Sequence, residues 1–207
     1  MSGTVWSIVV AGGTGRRFGE PKQFLPLGGR RMVDWSLEAA RTCSDGVVLV
    51  VPAADRSSEE PGADVVVHGG ESRSASVRAG LRAVPADAAT IVVQDAARPV
   101  PVPDVWGRVL AAIEAGADAA VPTVPVTDTL REVAGGTVDR SRLLAVQTPQ
   151  AFRAEALRAA HVGEPEGTDD ASLVEAQGGR VVVVDGDPRN IKVTTPVDLA
   201  VAELLCR

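Results

Sequence analysis

Six short apolar runs punctuate the chain: Val5–Val10, Val47–Val51, Asp64–His68, Thr90–Gln94, Ala117–Val121 and Arg180–Val184. They are rich in Val and Ile and nearly continuous rather than alternating, the pattern of strands buried on both faces of a parallel sheet. Helical spacing of apolar positions fills the stretches between them, over Met32–Thr42, Ser74–Val84, Pro103–Ala115, Ala154–Ala160, Thr168–Ala176 and Pro196–Leu205. Pro103 and Pro196 stand where a first-turn proline belongs, and Thr168 ahead of Asp169 and Asp170 reads as an N-cap with an acidic first turn. Strand–helix alternation predicts an α/β fold: an open, mostly parallel sheet with helices on both faces.

Thr123–Gln150 breaks this rhythm. It carries Pro125, Pro149, a Gly135-Gly136 pair and Thr/Val alternation, which together predict a protruding β-hairpin arm with a glycine turn. Such an arm has too little core of its own and is expected to pack on a second subunit. No repeat or linker divides the rest, so residues 1–207 read as a single domain with the arm at about 123–147.

Composition narrows the field. A chain of 207 residues, 45% hydrophobic and 23% charged, is globular rather than disordered. The cysteines, Cys43 and Cys206, are far apart and in no CxxC pattern, which excludes a disulfide scaffold or zinc module and suits a reducing cytoplasm. No run of eighteen apolar residues occurs and the first residues lack a basic-then-apolar leader, so neither a membrane span nor a signal peptide is expected. A net charge of −6 argues against a protein that coats nucleic acid, yet leaves room for a local basic pocket that takes a small anion. Of the 21 basic residues only Lys22 and Lys192 are lysine. Either a compact ammonium is required at those two places or composition has simply drifted to Arg; composition alone does not choose.

Open parallel sheets bind ligands beyond the carboxyl ends of their strands. The loop after the first strand, Ala11–Arg30, offers Gly12, Gly13 and Gly15 for close backbone approach to phosphates, with Arg16, Arg17 and Lys22 as counter-charges. It is no P-loop, because Pro21-Lys22-Gln23 replaces Gly-Lys-Ser/Thr, and Phe18 occupies the third glycine position of a dinucleotide fingerprint. Asp95 falls at the carboxyl end of the fourth strand, where a carboxylate can hold a metal or a ribose hydroxyl, and Arg98 follows in the same loop. Gly70, Arg73 and Ser76 surround a helix start and suit either phosphate and nucleobase contacts or plain capping. Lys192 sits in an extended segment before the last helix. His68 and His161 lie outside these motifs and read as ordinary structural or exposed residues. Without a Ser-His-Asp set or a metal-ligand cluster, the kit is glycine backbone, cations and one or two aspartates. It suits displacement at phosphorus, where positioning and charge neutralisation dominate.

With these motifs in order, "AGGTGRRFGEPKQFLPL", "GGESRSASV", "QDAARP", "VPVTDTL", "VDRSRLLAVQTPQAF", "TDDASLVE" and "NIKVTTPVDL", the sequence resembles the 2-C-methyl-D-erythritol 4-phosphate cytidylyltransferases of the non-mevalonate isoprenoid pathway. The resemblance implies a Rossmann-like nucleotidyltransferase fold, a homodimer built through the arm, and CTP with Mg²⁺ as cofactor. It implies that Arg17 and Lys22 stabilise the transition state at the CTP α-phosphate, while Arg140 and Lys192 grip and aim the acceptor phosphate. Ala11, Gly12, Gly13, Gly15, Gly70 and Ser76 would cradle the nucleotide. Asp95 would contact the metal, and Arg98, Thr129 and Thr148 would enclose the second substrate. Two positions depart from the family pattern: Gly12 stands where Ala is usual, and Gln94 where His commonly precedes Asp-Ala-Ala-Arg-Pro. Ribitol 5-phosphate cytidylyltransferases share these motifs and are the closest competing reading. A nicotinamide-dependent dehydrogenase lacks its third glycine and its acid/base group here, and an inactive nucleotide-binding homologue would not need all four basic residues.

Overall fold

The structure, a computed structural model, describes residues 3–13, 22–53 and 59–206. In chain order the strands and helices are β1 (Val5–Val10), β2 (Pro26–Leu27), β3 (Arg30–Arg31), α1 (Met32–Cys43), β4 (Gly46–Val51), β5 (Val65–His68), α2 (Arg73–Ala83), β6 (Thr90–Asp95) and α3 (Pro103–Glu114). They continue with β7 (Ala119–Pro125), β8 (Leu130–Arg131), β9 (Thr137–Val138), β10 (Leu144–Val146), β11 (Gln150–Arg153), α4 (Ala154–Ala160), α5 (Asp170–Ala176), β12 (Val181–Asp185) and α6 (Pro196–Leu205).

The central sheet runs β5-β4-β1-β6-β11-β7, with β12 parallel to β7 beyond it and β10 pairing the far end of β7. Helices α1 and α3 cover one face, where Val9, Leu37, Leu49 and Trp106 are buried together. Helices α2, α4 and α5 cover the other, around Ile8, Val50, Val77, Phe152 and Leu157. A satellite core of Leu27, Met32, Val193 and Ala202 fastens α6 to the small β2–β3 hairpin. Register aligns the carboxyl ends that matter: Val10 pairs with Val50 on one side and Asp95 on the other. No helix among the described residues is long and apolar enough to cross a membrane.

All six apolar runs form strands and all six periodic stretches form helices, with three differences. Strand β11 was not legible, because Gln150–Arg153 lacks a Val/Ile run; it is nonetheless buried, antiparallel between β6 and β7. Strand β7 continues to Pro125 and so becomes the root of the arm. The N-cap of α5 is Asp169, not Thr168: its carboxylate accepts from the Ser172 amide at 3.0 Å, stronger capping than a hydroxyl offers.

The arm has the expected turn. Gly135 and Gly136, with φ of 107° and 100°, adopt a conformation side chains resist, and join β8 to β9. Val133 at its tip is fully exposed, and Leu144 and Val146 near its base are about half exposed. This chain alone leaves those apolar groups uncovered.

Candidate active site

Beyond the carboxyl ends of β1, β4 and β6 lie two adjoining cavities. The larger, about 870 Å³, is bounded by Ala11, Gly12, Gly13, Lys22, Gly70 and Ser76 among others. The smaller, about 330 Å³, is bounded by Arg98, Gln147, Thr148, Gln150, Thr168 and Asp169. Arg73, Asp95 and Lys192 belong to both and form their common wall.

The first loop begins as an extension of the sheet, with the Ala11 amide donating to the Val50 carbonyl at 2.8 Å. Gly12 then passes the start of α2 so closely that a Cβ there would lie 3.2 Å from Ser76 Oγ. The Ser76 hydroxyl itself donates to the Ser72 carbonyl at 2.9 Å. On the far side of the loop, Gln23 Nε2 donates to the Gly13 carbonyl at 3.2 Å. Lys22 opens a short 3₁₀ turn and donates through Nζ to the Val193 carbonyl at 2.5 Å.

Asp95 ends β6 and organises the common wall. Its Oδ1 accepts from Arg73 Nε at 3.3 Å and its Oδ2 from Lys192 Nζ at 2.6 Å, while its amide meets Thr148 Oγ1 at 3.1 Å. Burial alone would push the Asp95 carboxyl up, but the charges of Arg73 and Lys192 outweigh it and hold the group below the usual carboxylate range. Arg98 spans two segments, donating to the Asn190 carbonyl at 2.6 Å and the Val146 carbonyl at 3.0 Å. It thereby ties the segment that carries Lys192 to the arm's return strand. Gln94, in place of the family's common histidine, donates to the Arg98 carbonyl at 3.0 Å and steadies the same loop.

Among the described residues no three His, Cys, Asp or Glu side chains gather as metal ligands. Asp95 nevertheless fits the modest protein share of a nucleotide-borne Mg²⁺, which takes one or two carboxylates and otherwise phosphate and water oxygens. A resident, all-protein Mg²⁺ cage does not fit.

The fold therefore brings together Ala11, Gly12, Gly13, Lys22, Gly70, Ser76, Asp95, Arg98, Thr148 and Lys192. Arg17 and Gly15 lie outside the described residues. Arg140 and Thr129 are exposed on the arm and are not among the residues lining the two cavities; Arg140 Nη1 donates instead to the Thr127 carbonyl. Sequence reasoning offered Arg73 as a phosphate or nucleobase contact, and gave no role to Gln150 or Asp170. The same segment read equally well as plain helix capping, which is the role Ser72 takes by accepting from the Ala75 amide. Asp170 looked like a first-turn acidic residue, whereas it is fully buried and accepts from Arg73 Nη1 at 2.6 Å.

The family model for 2-C-methyl-D-erythritol 4-phosphate cytidylyltransferase matches residues 5–207. A protein of that name from Nocardia farcinica is 46% identical over 98% of this chain and 94% of its own length. Its namesake from Rhodococcus opacus is 44% identical over 98% and 95%. The crystal structure of the Thermus thermophilus enzyme of that name superposes with a TM-score of 0.85 at 36% identity, over the whole of both chains. Together with Gly12, Gly13, the paired cavities and the "QTPQ" and "NIK" segments, these matches show that the chain belongs to the 2-C-methyl-D-erythritol 4-phosphate cytidylyltransferase family.

Proposed function

We propose that this protein transfers CMP from CTP to the phosphate of 2-C-methyl-D-erythritol 4-phosphate, releasing pyrophosphate and forming 4-diphosphocytidyl-2-C-methyl-D-erythritol. The observation that carries this reading is the pair of cavities meeting at the Arg73–Asp95–Lys192 wall. The larger has the volume and the glycine backbone a nucleoside triphosphate needs; the smaller is lined by polar and charged residues apart from Val146, which suits a phosphorylated polyol.

An oxygen of the acceptor phosphate attacks the α-phosphorus of CTP in line, and the bond to the β-phosphate oxygen breaks. A phosphate monoester has its second pKa at about 6 and is largely dianionic at neutral pH, so no protein base is needed. Two anions must meet, and cations on both sides of the reacting phosphorus lower that barrier. We assign Lys22 and Arg17 to the charge that builds at the α-phosphate, and Lys192 with Arg140 to aiming the acceptor. Mg²⁺, bound with CTP and touched by Asp95, would neutralise the triphosphate. Because Arg140 stands on an exposed arm whose Val133, Leu144 and Val146 this chain leaves open, we infer a homodimer in which each arm completes its partner's site. Cys43 and Cys206 are free thiols, in keeping with the cytoplasm we assign.

The test is pyrophosphate release from CTP and Mg²⁺ with either methylerythritol phosphate or ribitol 5-phosphate as acceptor. Turnover with the first and little with the second is expected; the reverse preference would overturn the assignment.

A further inference from the structure

Arg73 belongs to neither pair of cations assigned above, yet it is the more firmly held of the two cations in the common wall. Its side chain is 23% exposed, against 43% for Lys192. Behind it lies a wholly buried pair: Asp170 Oδ2 accepts from Arg73 Nη1 at 2.6 Å, and Asp170 Oδ1 meets His161 Nε2 at 3.0 Å. In front of it stands Asp95, which receives Arg73 Nε on one oxygen and Lys192 Nζ on the other. The five side chains form one chain of contacts, His161–Asp170–Arg73–Asp95–Lys192, fixed in the core at one end and open to both cavities at the other.

The physical consequence concerns Lys192. A half-exposed lysine on a four-carbon stem populates many rotamers, and a single ion pair at the surface scarcely restrains it. A planar guanidinium clamped between two carboxylates is rigid. It fixes the plane of Asp95, and a fixed carboxylate gives the Lys192 ammonium one preferred place. We propose that Arg73, clamped from behind by Asp170 and His161, is the positioning residue that sets Asp95 and, through it, holds Lys192 at the junction of the two cavities. This rests on the reading that Lys192 aims the acceptor phosphate.

The experiment is a mutant cycle. Asp170→Asn and Arg73→Lys are each made alone and with Lys192→Ala, and the acceptor and CTP kinetics and CTP affinity are measured. Each single change is expected to lower kcat/KM for the acceptor about tenfold or more while CTP affinity changes less than about twofold. In the Lys192→Ala background the same change should cost less than about twofold, because the residue it positions is gone. An equal loss in both backgrounds would overturn the proposal and make Arg73 a direct substrate contact or a part of the fold alone. Normal acceptor kinetics in Lys192→Ala itself would instead overturn the underlying reading of Lys192, and the brace with it.

A measurement on the unaltered protein covers variants that fail to fold. The chain has two lysines, so ¹³Cε-lysine labelling gives two signals, assigned with Lys192→Arg. The ligand-free protein should show Lys192 Cε motionally restricted on the nanosecond timescale. Motion as free as that of an unpaired surface lysine would refute the brace.

Discussion

Lys22 Nζ donates to the carbonyl of Val193 at 2.5 Å, so one lysine of this chain is anchored on the residue that follows the other. The glycine loop and the extended "NIK" segment are thereby joined across the larger cavity, 171 residues apart in sequence. Removing Lys22 takes away both that tie and a cation beside the triphosphate. Lys22→Ala, and likewise Arg17→Ala, should lower turnover about a hundredfold or more, because these contacts strengthen as charge develops at phosphorus. CTP affinity should fall much less. Steady-state kinetics alongside calorimetric CTP binding separates the two effects; near-normal turnover with merely weakened binding would remove either residue from the transition state.

The acidic limb of the pH–rate profile should belong to the substrate. Asp95 is held below the ordinary carboxylate value of about 3.9. Its depressed native pKa means that its pairing adds stability above that value and loses it only as pH falls through the lower native one. The carboxylate therefore stays ionised through the whole limb, which should lie at about 6 and follow the second ionisation of the acceptor phosphate. A phosphonate analogue of the acceptor, with its own ionisation, should move the limb accordingly. A limb that ignores the analogue but vanishes when His68 or His161 is replaced would point to a protein base.

Two glycines of the larger cavity should answer differently to alanine. A Cβ on Gly12 would press on the Ser76 hydroxyl at 3.2 Å, a group that can rotate aside. On Gly70 it would stand 2.5 Å from the Ala75 methyl, fixed at the start of α2. Denaturant unfolding should place Gly12→Ala within about 1 kcal/mol of the parent and Gly70→Ala about 1–3 kcal/mol below it. The opposite ranking would mean that the loop is not seated on α2 as described.

The layered sheet was legible because its strands are short Val/Ile runs that no other element explains, from Val5–Val10 to Val181–Asp185. Strand β11 escaped notice because two of its four residues, Gln150 and Arg153, are polar, and burial between β6 and β7 is a tertiary fact. The cavity lining was legible where composition singled out Lys22 and Lys192 and where a strand end placed Asp95. Asp170 was not, because a helix start accounts for a first-turn aspartate, and Arg73 was visible only as a candidate contact with no sign of its buried partner. Only the fold reveals that they face each other across 97 residues of sequence.

The arm yields a prediction about assembly. Arg140 stands on the arm and Lys192 on the body. If each site joins one body to the partner's arm, Arg140→Ala and Lys192→Ala, each reduced to a small measurable residue of activity alone, should complement when subunits exchange. Half of the randomly mixed dimers are then mixed, each with one intact site, and roughly a quarter of the parental activity should return. Activity that stays flat after verified exchange would place Arg140 in its own chain's site.

On the proposed mechanism, transfer is a single direct displacement between two substrates held in adjoining cavities, with no covalent link to the protein. CTP carrying sulfur in place of one non-bridging α-phosphate oxygen, as a single diastereomer, tests it most directly. One in-line displacement inverts the configuration at phosphorus, and inversion in the thio-substituted product is the result expected here. Retention would require two successive displacements through a nucleotidylated side chain, and would rule out direct transfer.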